Sequence, residues 1–514
     1  MAPAPPDRIP YREPQTMTDA GRTYGACDLV VVGGGINGTA IARAAALAGL
    51  DVLLVEGNDL GSGTSSASTK LVHGGLRYLE HGEFALVRES LRERAILLRT
   101  APHLVEPLQF VLEPAPGGRP WPVLRAGLWI YDLLAIGGTL PRSRSLTVRD
   151  RAGRKRQALA YWDARVDDSR LVVLNALDAA ERGARILVRT RVTAVDRTGN
   201  DWRVSLVDGS GLERTISSRF LINAAGPWAG TVHGQATHSD YAHQVRLVRG
   251  SHLILRRKPA DDAARLLQMP DGRVVFVIPY QRDFLLVGTT DIPVARPDER
   301  EPDPREVAYL LAAANSHLGE AVTEADIVWR FGGIRALFDD GSRDASKISR
   351  DYHFEVDRDR GLLSVIGGKV TTARSLAEHA LAVLGLPAGA TRERPLPGGN
   401  IASFASLLDQ VRARWPFLGA ERSLRMARAY GSRIDAVLGK AKCAADLGAD
   451  FGCGLSEREV RYLCDTEWAC SADDILWRRT KLGLLFTQEQ AGRLQSWVAG
   501  HMPARTPRQD ETAA

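Results

Sequence analysis

The chain has 514 residues, 44% apolar and 25% charged, with a net charge of +6. That length exceeds one ordinary hydrophobic core and points to two or three domains, in a composition typical of soluble globular proteins. The basic runs at 151–156 and 256–258 are short and carry no interleaved aromatics, which argues against a nucleic-acid-binding stripe.

Residues 1–20 are proline-rich, lack the apolar centre of a secretory signal and are expected to be disordered, with Met17 an alternative start. The most informative stretch is 28–56, DLVVVGGGINGTAIARAAALAGLDVLLVE. Its pattern predicts a buried strand over 29–32, a helix over 39–48 ended by Gly49, and a second strand over 52–55. Gly33, Gly35 and Gly38 stand between strand and helix in G-x-G-x-x-G spacing. They permit, in turn, a tight turn, close approach of the backbone to a pyrophosphate, and close packing of helix on strand. The helix N-terminus then offers N–H groups to the phosphates. Glu56 closes the second strand, where an acid hydrogen-bonds a ribose diol. Dinucleotide binding follows from the whole unit rather than from the glycines alone.

A Ser/Thr-rich loop over 61–69 comes next, then KLVHGGLRY at 70–78 and a helix over 84–99. Proline-rich stretches at 102–107 and 114–122 break the chain. Residues 121–140 read as an interrupted amphipathic helix, buried or half-buried, whose tryptophans also suit a membrane interface. No window offers about 18 uninterrupted apolar residues, so no spanning helix is expected. A helix is predicted over 171–182, strands over 185–195 and 202–207 around Thr198-Gly199-Asn200, and an apolar strand at 220–226. From 245 to 345 the pattern is strand-rich; 253–255, 274–278, 284–287 and 327–329 suggest an antiparallel sheet with a helix inserted at 304–318. A strand over 362–366 runs through Gly367-Gly368-Lys369 into a helix over 371–384, PLPGG at 395–399 reads as a linker, and 402–499 is helical. Cys27, Cys443, Cys453, Cys464 and Cys470 form no C-x-x-C pair, so no metal or iron–sulfur site is expected, and free thiols point to a reducing cytoplasm.

Several motifs then fall in one order: TSSASTKLVHGGLRYLEHGEF at 64–84, LINAAGPWA at 221–229, VGTTD at 287–291, FGGIRAL at 331–337, ISRDYHF at 348–354, LLSVIGGKVTTAR at 362–374 and EWACSADDILWRRTKLGLLF at 467–486. Together they resemble the FAD-dependent, membrane-associated glycerol-3-phosphate dehydrogenases over residues 27–490. One departure is Ala336, where proline is expected in the loop after Arg335. The resemblance implies an α/β fold (α+β overall): a Rossmann-like FAD-binding domain of the amino-acid-oxidase/glutathione-reductase type, an antiparallel-sheet substrate domain and an all-α C-terminal domain. The boundaries expected are a tail at 1–20, a discontinuous FAD domain at 21–120, 150–245 and 345–394, a substrate domain at 246–344 and the helical domain at 395–505.

For FAD, Gly33, Gly35, Gly38 and Glu56 would hold the pyrophosphate and adenosine ribose. Ser65, Ser66, Ser68, Thr69 and Lys70 offer hydroxyls, N–H groups and one charge near the ribityl chain and ring, joined by Gly226, Gly368, Lys369 and Thr371. A helix N-terminus after Lys369 would stabilise an anionic reduced flavin. The resemblance places Arg77, Arg335, Arg350 and Lys369 on the substrate phosphate, with Tyr78 capping the pocket, because planar guanidinium groups match phosphate oxygens. His252 is the candidate base, with His73 its rival; Arg335 and Lys369 complete the catalytic set, and Thr290 and Asp291 are candidate pocket residues. The activity implied is oxidation of glycerol 3-phosphate to dihydroxyacetone phosphate, with electrons passed to a membrane quinone, in a cytoplasmic protein held peripherally on the inner face of the membrane, with a homodimer left open. Two alternatives stay open: an oxidase delivering electrons to oxygen, and a flavoprotein binding nucleic acid through its basic surface.

Overall fold

The computed structural model describes residues 23–114, 118–149, 154–241, 244–339 and 351–501. The expected disordered tail, Arg350 and the first half of the basic run at 151–156 lie outside them.

The first sheet grows from the strand Thr23–Val32, in which Leu29, Val30 and Val31 have no exposed surface. A strand apolar on both faces needs a layer on each side. It runs parallel to Val52–Val55 on one side and to Glu213–Asn223 on the other, and Arg185–Leu187 and Leu362–Ile366 extend the parallel order outward. His353–Asp357 adds an antiparallel edge, and the hairpin Thr190–Thr198/Asp201–Asp208 pairs antiparallel with Glu213–Asn223. Helices Ile36–Leu47, Asp168–Ala180 and Ala373–Val383 bury Ile41, Val173 and Leu376 in one core with this sheet. Gly33 lies at φ +109°, and a Cβ there would stand 2.5 Å from the Ala224 carbonyl oxygen. A Cβ on Gly38 would stand 1.9 Å from the Gly33 carbonyl oxygen, so only glycine lets the helix begin directly above the strand end.

The second sheet has ten strands and is mixed. Its centre is Val245–Leu255, paired antiparallel along its length with Ile327–Phe338 and, on its other edge, with Phe284–Gly288 and Ile292–Val294. Val274–Tyr280 and Ala264–Gln268 follow, and the sheet then continues through a parallel pairing to Val105–Leu112, Lys155–Val166 and Leu71–Val72, with Arg144–Arg149 alongside. Except for Arg144–Arg149, which falls between the expected segments, these last strands come from segments expected in the nucleotide domain. The sheet is therefore larger than residues 246–344 and not purely antiparallel. Long-range pairing of this kind leaves no local mark, although the edge-to-face contact of Phe110 with Phe276 at 6.1 Å spans the junction. The strand expected at 327–329 runs on to Phe338, so Arg335 and Ala336 lie on a strand and not in a loop. Ala336 faces Leu247 in the ladder and is buried.

Beyond residue 400 the chain forms its own core around Met426, Leu438, Leu455, Leu463 and Ile475. Helices Phe404–Arg414, Gly419–Tyr430, Glu457–Glu467 and Gln488–His501 contribute to it. This domain is joined to the first by buried ion pairs, Arg170 with Glu467 and Arg479 with Asp59.

Candidate active site

A cavity of about 630 Å³ takes its walls from both sheets. At one end it follows the glycine turn, with Gly33, Gly35 and Glu56 in its lining. The Glu56 carboxylate accepts from the Gly34 and Asn58 N–H groups at 2.7 and 2.8 Å, and burial pushes its pKa up. Gly38 lies beneath, in the packing role described above, and does not line the cavity. Arg191 and Arg300 also face this end, and neither was flagged from the sequence. Arg300 donates to the Ser62 carbonyl at 3.0 Å and lies over the Trp228 ring at 5.3 Å. It comes from a charged, proline-rich stretch that reads as a surface loop, so no local signal marks it.

The Ser/Thr loop runs along the middle. Thr64, Ser65, Ala67, Ser68 and Thr69 line the cavity, whereas Ser66 and Lys70 do not. The Ser65 hydroxyl accepts from the Ile36 N–H at 2.9 Å, capping the nucleotide helix itself. Lys70 was expected to offer its charge to the cofactor, and the structure corrects that. Its ammonium is buried against Asp168, 2.9 Å from both carboxylate oxygens, and donates to the Ser66 carbonyl at 2.8 Å. A buried ammonium needs a carboxylate, and Asp168 is a stronger partner than a distant ring. Gly226, Gly368, Lys369 and Thr371 all line the far end, where Asn37 donates to the Gly367 carbonyl at 3.0 Å.

His252 and His73 both line the cavity. His252 is 1% exposed, its Nε2 is hydrogen-bonded to Thr69 Oγ1 at 2.9 Å, and its ring stacks on Phe331 at 5.0 Å. Burial lowers its pKa well below the ordinary imidazole value, and the nearby Arg335 and Lys70 charges push the same way. The ring is therefore neutral at pH 7. The backbone N–H of His73 donates to Thr371 Oγ1 at 3.3 Å.

Of the four cations expected to converge, Arg335 and Lys369 line the cavity; Arg77, on the turn Leu76–His81, does not, and Arg350 is outside the described residues. Arg335 forms an ion pair with Asp291 and reaches Thr289 Oγ1 at 3.3 Å. Asp291 and Thr290 are thus supports rather than lining: Thr290 has no exposed surface, donates to Glu306 at 2.6 Å and accepts from the Ser251 N–H at 2.9 Å. Lys369 differs from the other cations. Its ammonium is buried, has no hydrogen-bond acceptor among the described residues, and lies 3.9 Å from the centre of the Tyr78 ring. Tyr78 lines the cavity beside it.

The neutral state of buried histidines sets an acid limit on the fold. Burial, aided by Arg170 and Arg428, pulls His103 down to about 3, and His252 is shifted the same way. Unfolded, both would protonate near pH 6.5, so below that value the unfolded chain binds more protons. Stability is then complete above about pH 7 and falls as pH drops toward the folded values, by up to about 1.4 kcal/mol per pH unit for each histidine. Urea midpoints between pH 7 and 4 are expected to fall accordingly, and more shallowly in His103→Leu.

The residues present fit a flavin dinucleotide. The turn at Gly33 leaves no room for a side chain, a hydroxyl-lined wall follows it, and the buried Lys369 ammonium at the far end has no acceptor among the described residues. Comparison with known proteins agrees. Residues 28–374 match the family described as FAD dependent oxidoreductase, and residues 389–507 match the C-terminal domain of alpha-glycerophosphate oxidase. A glycerol-3-phosphate dehydrogenase of Pseudomonas aeruginosa is 44% identical over 93% of this chain and 96% of that protein. A D-erythritol 1-phosphate dehydrogenase of Brucella abortus is 43% identical over 92% of this chain and 97% of that protein. The crystal structure of the glycerol-3-phosphate dehydrogenase from Bacillus halodurans complexed with FAD superposes with a TM-score of 0.67 at 26% identity, covering 92% of this chain and 94% of the other. With matches that run through both sheets and on into the helical domain, the chain belongs to the family of FAD-dependent oxidoreductases.

Proposed function

We propose that this enzyme oxidises C2 of sn-glycerol 3-phosphate to dihydroxyacetone phosphate and passes the electrons to a membrane quinone. The observation that carries the reading is Lys369, a buried cation with no acceptor among the described residues, in the same cavity as Arg335 and a neutral His252. Bound FAD supplies the two-electron acceptor for the hydride. The chain's own residues do the rest. Lys369 and Arg335 hold the phosphate dianion, and Tyr78 confines it. His252 takes the C2 hydroxyl proton at Nε2 once the substrate hydroxyl has replaced Thr69 Oγ1, which is hydrogen-bonded to that nitrogen here. Phe331, stacked on the ring, keeps water from its face. Gly33, Gly35, Glu56, Ser65, Ser68, Thr69, Gly226, Gly368 and Thr371 hold the cofactor.

Anaerobic bleaching of the bound flavin tests this reading: glycerol 3-phosphate should bleach it at low concentration, and unphosphorylated glycerol and sarcosine should not. Bleaching by sarcosine alone would overturn it. A second polyol phosphate has support from the Brucella abortus relative, so D-erythritol 1-phosphate belongs in the same comparison. Peroxide release without added quinone would favour oxygen as acceptor, as the name of the matching C-terminal domain allows. Arg335→Ala is expected to raise KM about tenfold and leave FAD bound. The effect is held to that size because Asp291 already shares the guanidinium charge. Loss of flavin with KM unchanged would remove Arg335 from the phosphate site.

Among the described residues no helix is long and apolar enough to cross a membrane. A peripheral contact has support from the helix Trp121–Leu134, which exposes Val123, Trp129 and Leu133, with Ile136 just beyond at 71% exposure. Arg125 and Asp132 of this helix hydrogen-bond Ser143, which brings the exposed Arg142 and Arg144 to its flank. Apolar side chains rimmed by arginine suit an anionic bilayer surface. In Trp129→Glu/Leu133→Glu, co-sedimentation with vesicles of phosphatidylglycerol and phosphatidylethanolamine should fall severalfold while flavin content stays normal.

A further inference from the structure

The C-terminal domain contributes no side chain to the cavity among the described residues. One of its segments nevertheless reaches the back of the cavity wall. The loop that faces the flavin, residues 61–69, is built from Gly, Ser, Thr and a single Ala. Such residues have almost nothing to bury, so the loop cannot be held by apolar packing of its own. Hydrogen bonds hold it along its length (the Gly61 N–H donates to the Gly34 carbonyl at 2.9 Å, the Thr64 hydroxyl to the Ile334 carbonyl at 2.5 Å, and Ser65 accepts from Ile36), and a buried ion pair stands at each end.

At the first end stands Asp59, 2% exposed. Arg479 binds it with two prongs, at 2.9 and 2.8 Å, and Arg478 adds a third contact. At the second end stands Lys70, at φ +60°, paired with Asp168. Asp168 also accepts from the Ser68 hydroxyl at 2.8 Å, so one carboxylate fixes both Ser68 and Lys70. The residue between them is Thr69, which hydrogen-bonds His252. Asp167 and Asp168 open the helix Asp168–Ala180, where its dipole favours them. Lys481 closes the group from the C-terminal side: its ammonium donates to the Trp477 carbonyl at 2.8 Å and to the Ser169 hydroxyl, and lies 3.4 Å from Asp167. Burial opposes ionisation of Asp167, yet Lys481 and Lys70 outweigh it and hold the carboxyl below its usual range. Between the two ends, Trp477 packs on Trp329 at 4.4 Å, Trp329 on Phe331 at 4.6 Å, and Phe331 on the His252 ring. Arg478, Arg479, Trp477 and Lys481 all belong to one turn and a half of the chain, the π-helix Asp474–Arg479 and the two residues after it.

We propose that this segment is a clamp: the C-terminal domain sets the conformation of the flavin-facing loop from behind, with Arg479 and Lys481 as positioning residues for FAD and for the Thr69–His252 pair. Buried ion pairs suit that job because they are strict in geometry, and because losing one member leaves a charge without a partner. The inference deepens the assignment of the FAD site and does not depend on which polyol phosphate is oxidised.

The experiment measures FAD affinity and the visible circular dichroism of the bound flavin in the full-length holoenzyme. The variants are Lys481→Met and Asp59→Asn, with Arg425→Met as control. Arg425 pairs with Glu459 inside the C-terminal domain, away from the loop. The control is expected to lower Tm and leave FAD affinity and the flavin spectrum unchanged. Lys481→Met and Asp59→Asn are expected to weaken FAD binding about tenfold or more and to alter the flavin dichroism. Asp59→Asn keeps the side-chain shape, so it reads the clamp even where Lys481→Met fails to fold. Wild-type FAD affinity and dichroism in a folded Asp59→Asn or Lys481→Met, or a change no larger than that of Arg425→Met, overturns the proposal. Because the readout is cofactor binding, a wrong substrate assignment would leave it untouched.

Discussion

In His252→Ala, bleaching of the bound flavin by substrate in a single turnover is expected to slow about 10²–10⁴-fold, the range that a positioned general base contributes. Substrate KM should change little, because the phosphate is held elsewhere, and FAD should stay bound. The neutral state of His252 extends the expectation to pH. Its pKa is lowered by burial first and by Arg335 and Lys70 second, so the acid limb of kcat/KM should lie below pH 6.5 rather than at it. An unchanged rate of bleaching would take His252 out of the mechanism and leave His73, the other histidine in the cavity lining. Thr69→Ala offers a check: it keeps the ring and removes the hydroxyl hydrogen-bonded to Nε2.

Lys369→Met is expected to raise substrate KM about 10–100-fold, the effect of losing one or two charge-assisted hydrogen bonds. Methionine keeps the apolar stem, so packing is nearly conserved. The effect should exceed that of Arg335→Ala because the Lys369 ammonium is buried and has no acceptor among the described residues, whereas Arg335 is paired with Asp291. A variant that keeps its KM but loses FAD would reassign Lys369 from substrate to cofactor.

The glycine turn shows how far local pattern carries. The strand over 52–55 and the strand over 362–366 agree with the structure to the residue, and Gly33, Gly35 and Gly38 stand where their spacing required. Each depends on neighbours within a few positions. Lys70 shows the limit. It lies in the right loop, but its direction is set by Asp168, almost a hundred residues away, and it turns from the cavity. Arg300 and Phe331 show the converse: one sits in a polar loop that reaches the cavity wall, and the other in a glycine-rich strand whose pairing with Val245–Leu255 sets it against the His252 ring. Arg77 stands inside a motif and still falls outside the cavity lining, since a motif specifies a segment and not the heading of each side chain.

Periodicity and glycine spacing were enough, unaided, to determine the nucleotide unit, the presence of a second sheet and the helical C-terminal region, because these follow from short-range sterics and the burial of apolar faces. Tertiary structure alone decided which cations meet, which strands from the front half of the chain enlarge the second sheet, and that the last domain grips a loop it never touches in sequence. Those outcomes depend on pairing charges and backbone edges hundreds of residues apart, where the energy belongs to the pair and neither partner carries a local sign of the other.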